Sequence, residues 1–216
     1  ISRFNKNNDS IKSIEIFLDV KKSKDNGVSG AFSIIDKRKI NYINDNHRTR
    51  SLDEFPSPYK TGLLNEFLIE GFSPIIETVR GCPYRCAFCE QGADFFTKLA
   101  MASTDYVFEE LEHIRKYYKG DWLLLADVNF GITHRDWKIA EWLQKSRKDF
   151  GWPNHIYCYN AKMPTEKTFK CIEMLYPMIP IMTSFQSTNE QTLESINRSK
   201  IGFDRAAEIT KWARKK

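Results

Sequence analysis

The chain has 216 residues, a formal net charge of +5, 41% hydrophobic residues and five cysteines. That is enough for one large domain or a domain and a half with a sizeable core, and the lack of any run of eighteen apolar residues excludes a transmembrane helix. Five is an odd count without the spacing of a disulfide scaffold, and the basic residues are scattered apart from the terminal block Lys211–Lys216, which argues against a nucleic-acid patch.

The chain opens on Ile11–Val20, which reads as one helix with its apolar residues mixed. Ala31–Ile43 reads as a β-hairpin turning at Asp36-Lys37. Next, Arg50 to Leu63 holds Pro56, Pro58 and Gly62, the composition of a linker. From Pro74 onward strands and helices alternate. Pro74–Arg80 reads as a strand. Thr104–Tyr118 reads as a helix capped by Thr104, with Val107, Leu111, Ile114 and Tyr118 on one face. The apolar run Trp122–Asp127 has the character of a parallel strand buried on both faces. A helix follows over Arg135–Phe150 with Ile139, Trp142 and Leu143 inward, and a strand over His155–Asn160. Thr165 caps a helix running to Tyr176, Pro180–Phe185 is a fourth strand, and Asn189–Asn197 and Asp204–Lys215 are the last helices, the first capped by Asn189.

This alternation implies a parallel sheet with right-handed crossovers. Four units in some 140 residues match the unit length of a (β/α) barrel, so the expected class is α/β with a partial barrel of parallel strands. A fourth strand left bare would be an edge of the kind proteins avoid. The expectation is therefore a fragment, with further barrel strands after Lys216.

The chemistry is concentrated in Cys82-Pro-Tyr-Arg-Cys86-Ala-Phe-Cys89, a Cys-x3-Cys-x2-Cys spacing without a fourth cysteine nearby. Thiolates suit iron–sulfur clusters or zinc. A structural zinc site closes with four protein ligands, so three ligands point to a site left open for a group that is not protein. Zinc with His113 or His134 as fourth ligand is the alternative. Cys158 and Cys171 read as small buried hydrophobes. The phosphate-binding, zincin and nucleophile-elbow motifs are absent.

On these cysteines the chain resembles the radical S-adenosylmethionine (SAM) superfamily, in which the motif holds a [4Fe–4S] cluster whose open iron chelates SAM. That family's core is a partial (β/α)6 barrel. The linker Pro56-Ser57-Pro58-Tyr59 with Gly62 resembles the passage between the cobalamin-binding domain and the barrel in B12-dependent members. The resemblance implies that residues 1–58 are the tail of a cobalamin domain whose body precedes Ile1, and that 59–216 is the barrel. His47 is rejected as a cobalamin ligand, because Arg50 stands where that signature needs glycine.

The same resemblance assigns the strand ends. Phe88 meets the adenine of SAM, or packs over the cluster. Asp127 accepts a hydrogen bond from the SAM amine, or caps its turn. Asn160 or Lys162 meets the SAM carboxylate. Gln186, in a Gln-Ser segment followed by a helix ending Asn197-Arg198, takes the ribose hydroxyls, or caps a helix. Arg198 closes over the carboxylate, or is an exposed helix-end cation. Arg80 and Arg85 offset the cluster charge, or are solvated. The implied activity is reductive SAM cleavage, with cobalamin-dependent methyl transfer or a ring rearrangement as outcome and a flavodoxin or ferredoxin as electron donor in the cytoplasm. The alternatives are a B12-independent, methylthiotransferase-like enzyme and a non-enzymatic cluster or zinc module.

Overall fold

A computed structural model describes residues 32–36, 39–42, 49–161, 165–180, 182, 186–198 and 203–215. The chain divides into two units, Ile1–Arg48 and Thr49–Lys216. In the first, β1 (Phe32–Asp36) and β2 (Lys39–Tyr42) form the expected hairpin, with Phe32 opposite Tyr42 and Ile34 opposite Ile40. The helix expected over Ile11–Val20, His47, Lys162, and Thr183 to Phe185 of the fourth strand lie outside the described residues.

In the second unit the strand expected over Pro74–Arg80 is two short pieces, β3 (Ile75–Ile76) and β4 (Val79–Arg80). The chain changes partner at Glu77-Thr78. Strand β3 lies parallel to β6 (Trp122–Phe130), whereas β4 pairs antiparallel with β5 (Ala100–Met101). The parallel sheet has the order β3-β6-β7, with β7 at His155–Asn160. Pro180 and Met182 are not in a strand, but the chain there docks on β7: the Ile156 N–H donates to the Met178 carbonyl at 2.7 Å.

The helices are α1 (Asn65–Ile69), α2 (Asp94–Thr97), α3 (Thr104–Tyr117), α4 (His134–Phe150), α5 (Glu166–Leu175), α6 (Glu190–Ser195) and α7 (Phe203–Ala213). Helix α3 is capped by Ser103, not Thr104: the Ser103 side chain accepts from the Tyr106 N–H. Thr133 and Thr165 cap α4 and α5, each in a reciprocal box with the third residue of its helix. Val107, Leu111 and Ile114 of α3, Ile139 and Leu143 of α4, and Cys171, Ile172 and Leu175 of α5 join Leu123, Leu125, Ile156 and Cys158 in one core. Trp142 is only half-buried and stacks on Phe108 of α3.

Strand β6 is not buried on both faces as its apolar run suggests. Leu123, Leu125, Asp127 and Asn129 are buried while Trp122 and Ala126 are exposed, and β7 alternates in the same way. Leu68 of α1 and the buried residues of α3, α4 and α5 share this core with Leu123, Leu125, Ile156 and Cys158. Burying Leu and Ile on one side of the pleat is enough to fix register. The other face carries Ile75, Trp122, Tyr157 and Tyr159 in the open.

The proline-rich passage is not a free linker. Ser57 and Tyr59 are buried. The Tyr59 hydroxyl donates to the Ile75 carbonyl at 2.8 Å and accepts from the Ile75 N–H at 2.9 Å. It thus supplies both hydrogen bonds that a neighbouring strand would have given β3, closing an edge that would otherwise stay unpaired.

Candidate functional site at the cysteine loop

Strand β4 delivers the chain to Gly81, whose φ of 105° is open to glycine and strained for other residues, and then to Cys82. Cys82, Cys86 and Cys89 are unbridged; the first two are buried and the third partly so. Backbone bonds hold the loop's shape: the Cys82 N–H donates to the Phe96 carbonyl at 2.9 Å, the Cys89 N–H to Cys86 at 3.1 Å and the Gly92 N–H to Cys89 at 2.8 Å. Gly92 is required by close approach. A Cβ there would stand 2.3 Å from the Cys86 carbonyl oxygen. Gly92→Ala is expected to displace Cys86 and to cut iron uptake on anaerobic reconstitution several-fold, leaving the far-ultraviolet circular dichroism of the protein unchanged. Full iron uptake would show that the loop accommodates the methyl.

Two side chains reach the sulfurs. Asn129, near the end of β6, donates its Nδ2–H to Cys82 Sγ at 3.1 Å. Its Oδ1 is buried and has no hydrogen-bond partner among the described residues. Arg198, just past α6, is 5% exposed, and its Nη1 lies 3.7 Å from Cys86 Sγ. It is therefore not the exposed helix-end cation that was one of its two readings. The turn carrying it clamps the loop: the Ala87 N–H donates to the Ile196 carbonyl at 3.1 Å and Asn197 Nδ2 to the Arg85 carbonyl at 3.1 Å. Asn197 adopts φ 57°, a left-handed conformation that asparagine tolerates better than most residues.

Asp127 is 2% exposed and engaged at both oxygens. Its Oδ1 accepts from the backbone N–H groups of Thr78 and Val79 at 2.6 and 3.1 Å, and its Oδ2 from the Thr78 hydroxyl. Burial pushes this carboxyl up to about 6, against the downward pull of the Thr78 and Val79 donors. Arg135 grips the same break, donating to the Thr78 carbonyl at 3.0 Å and to the Ala102 carbonyl at 2.5 Å. The carboxylate thus satisfies the backbone where β3 hands over to β4, a role different from the expected turn cap. Asn160 is buried and donates to the Pro180 carbonyl at 3.3 Å. Phe88 is half exposed and Gln186 exposed. Arg80 pairs with Glu77 at 2.6 Å and Arg85 with Asp94, so both flanking cations are exposed members of local pairs.

Among the described residues, no three His, Cys, Asp or Glu side chains gather around a point where a single ion would sit. His113 is held elsewhere, 2.6 Å from Asn65 Oδ1 and stacked on Tyr117. His113 therefore does not join the cysteines as a fourth ligand. A cubane cluster asks for something else: each thiolate binds a different iron, so the three sulfurs stand apart around a volume. Three unbridged cysteines on one loop, with donors at two sulfurs and an orphaned buried acceptor alongside, fit such a group.

No family model matches the chain. It is 31% identical over 166 residues to the cobalamin-dependent radical SAM methyltransferase TokK of Streptomyces tokunonensis, covering 73% of this chain and 24% of that protein. It is 33% identical over 160 residues to the 2-(S-pantetheinyl)-carbapenam-3-carboxylate methyltransferase of Streptantibioticus cattleyicolor, covering 70% of this chain and 23% of the relative. The chain is a homologue of cobalamin-dependent radical SAM methyltransferases. It spans about a quarter of the length of these curated relatives. Solved structures agree on the fold. The cobalamin-dependent radical SAM enzyme OxsB with aqua-cobalamin bound superposes with a TM-score of 0.57 at 16% identity, covering 89% of this chain and 29% of that one. The radical SAM methyltransferase TsrM of Kitasatospora setae, with tryptophan and a SAM analogue bound, gives 0.54 at 16% identity, covering 69% and 30%. The α/β class with a parallel sheet expected from the alternating elements is therefore the fold of this chain, and these structures share it. No helix among the described residues is long and apolar enough to cross a membrane.

The importance of Asn129, Thr78 and Arg135 escaped sequence reasoning. A signal was present: period two puts Leu123, Leu125, Asp127 and Asn129 on one face, apolar at its start and polar at its C-terminal end.

Proposed function

We propose that this chain is the SAM-cleaving core of a radical SAM enzyme, with Cys82, Cys86 and Cys89 holding a [4Fe–4S] cluster. The observation that carries the reading is three unbridged cysteines on one loop at the first strand's end, two of them with side-chain donors at sulfur. When bound, the cluster supplies the single electron that cleaves SAM reductively. The protein's part is to bind, orient and shield. The half-exposed ring of Phe88 is available to the adenine, and the exposed Gln186 amide has the donors and acceptor for a ribose diol. Lys162 is the candidate for the SAM carboxylate. Asp127 and Asn160, engaged within the fold, act by holding strand ends in place.

The names of the relatives support cobalamin as second cofactor and methyl transfer as outcome, with ring rearrangement as the alternative. In this reading residues 1–48 are the end of the cobalamin-binding domain, the linker 49–58 packs with the second unit, and 59–216 is the partial barrel. The electron donor is a flavodoxin or ferredoxin, and the compartment the reducing cytoplasm, where thiolate ligands survive. Anaerobic reconstitution with iron and sulfide tests the core claim. About four irons per chain are expected, with an EPR signal on reduction that changes shape when SAM is added. Stoichiometric zinc instead of iron, or a cluster indifferent to SAM, would overturn it.

A further inference from the structure

We infer that Asn129 and Arg198 set the reduction potential of the cluster through the sulfurs of Cys82 and Cys86. The inference rests on the cluster reading above and adds a task for two residues that lie outside the cysteine motif.

The geometry is specific. Asn129 Nδ2 stands 3.1 Å from Cys82 Sγ, and Arg198 Nη1 stands 3.7 Å from Cys86 Sγ, within reach of an N–H···S bond. Both residues are nine-tenths or more buried. A metal-bound thiolate only accepts hydrogen bonds, so the Asn129 amide must present its NH2 group to Cys82. That leaves Oδ1 as the orphan, which is the orientation observed. The two donors come from distant parts of the chain, the end of β6 and the turn after α6, and meet on the one loop.

Reducing the cluster transfers one electron from the donor protein and makes or breaks no bond. It adds a negative charge that spreads onto the ligand sulfurs. A neutral donor and a buried guanidinium at those sulfurs stabilise the reduced form more than the oxidised one, and therefore raise the potential. Low surrounding polarisability makes both effects larger than they would be at the surface. Arg80 and Arg85, though nearer in sequence, are exposed, so solvent screens their contribution. Arg198 carries the larger share, since it adds charge as well as a donor.

The test is an EPR-monitored redox titration of the reconstituted chain, poised with titanium(III) citrate. Arg198→Met is expected to lower the potential by about tenfold in the reduction equilibrium, about 59 mV for one electron, and Arg198→Lys by less. Asn129→Leu is expected to shift it in the same direction by a smaller amount. Iron content and EPR line shape report whether each variant holds its cluster, so a structural defect is visible separately from a potential shift. One measurement needs no substitution: wild type grown on 15N-arginine is expected to show a weak 15N coupling to the reduced cluster in pulsed EPR. A fully loaded cluster with unshifted potential in Arg198→Met, or no 15N coupling in wild type, would overturn the inference and leave the cluster reading standing. A wild type that takes up no iron would remove both.

Discussion

Replacing Cys82, Cys86 and Cys89 together by alanine is expected to abolish iron binding on anaerobic reconstitution, from about four irons per chain to none above background, and with it the EPR signal of the reduced protein. In the proposed cluster each thiolate would bind a different iron, so no pair of them could stand in for a missing third. Cys158 and Cys171 offer no rescue. Both are buried in the core, Cys158 on β7 and Cys171 on α5, and burial pushes the Cys171 thiol up to about 12 and raises the Cys158 thiol as well. The fold should persist, because the core is built by β6, β7 and α3 to α5 rather than by the loop. A cluster that survives the triple substitution would place the site elsewhere and remove the basis of the proposed function.

Asp127→Ala is expected to lower stability by about 2–4 kcal/mol, read as a shift of the urea midpoint. The substitution strips the acceptor from three buried donors, the Thr78 and Val79 N–H groups and the Thr78 hydroxyl. An orphaned donor costs about 1–3 kcal/mol, and relief from burying a charge offsets part of the total. Because β4 leads directly to Gly81 and Cys82, iron uptake should fall as well. An unchanged midpoint would mean that the carboxylate is not needed by the fold and is free to serve a ligand, as the resemblance first implied.

The same residue predicts a pH dependence. Its carboxyl is raised from 3.8 to about 6 by burial. Between those values the folded state holds a proton that the unfolded state has released. Stability from this group is therefore fully present below about pH 4 and is lost as pH rises through 6. Asp127→Asn removes the titration. The stability difference between wild type and Asp127→Asn should shrink, or change sign, by a few kcal/mol as pH rises from 4 to 7. A constant difference would show that Asp127 titrates at its ordinary value.

Much was legible in the amino-acid order because it was local. The Cys-x3-Cys-x2-Cys spacing puts three candidate cluster ligands within eight residues. The 3.6-residue periodicity of Val107, Leu111 and Ile114 places a helix, and Thr165 and Asn189 mark their own helix starts. These depend on one turn of backbone or on one face of one element, which a short window contains. What the tertiary structure decided involves partners far apart in sequence. Thr78 meets Asp127, Cys82 meets Asn129 and Cys86 meets Arg198 across separations of 49, 47 and 112 residues. The break between β3 and β4 likewise follows from a change of partner strand, from β6 to β5, which no local propensity encodes. The exposed face of β6 has a similar origin: an apolar run states that a strand can be buried on both sides, and only the placement of the helices determines which side is. For Arg198 the sequence left a choice between a closing cation and a solvated one. Folding resolved it by burying the guanidinium beside a cysteine sulfur, where a long flexible side chain could reach only because the Ile196–Arg198 turn is itself hydrogen-bonded to the cysteine loop.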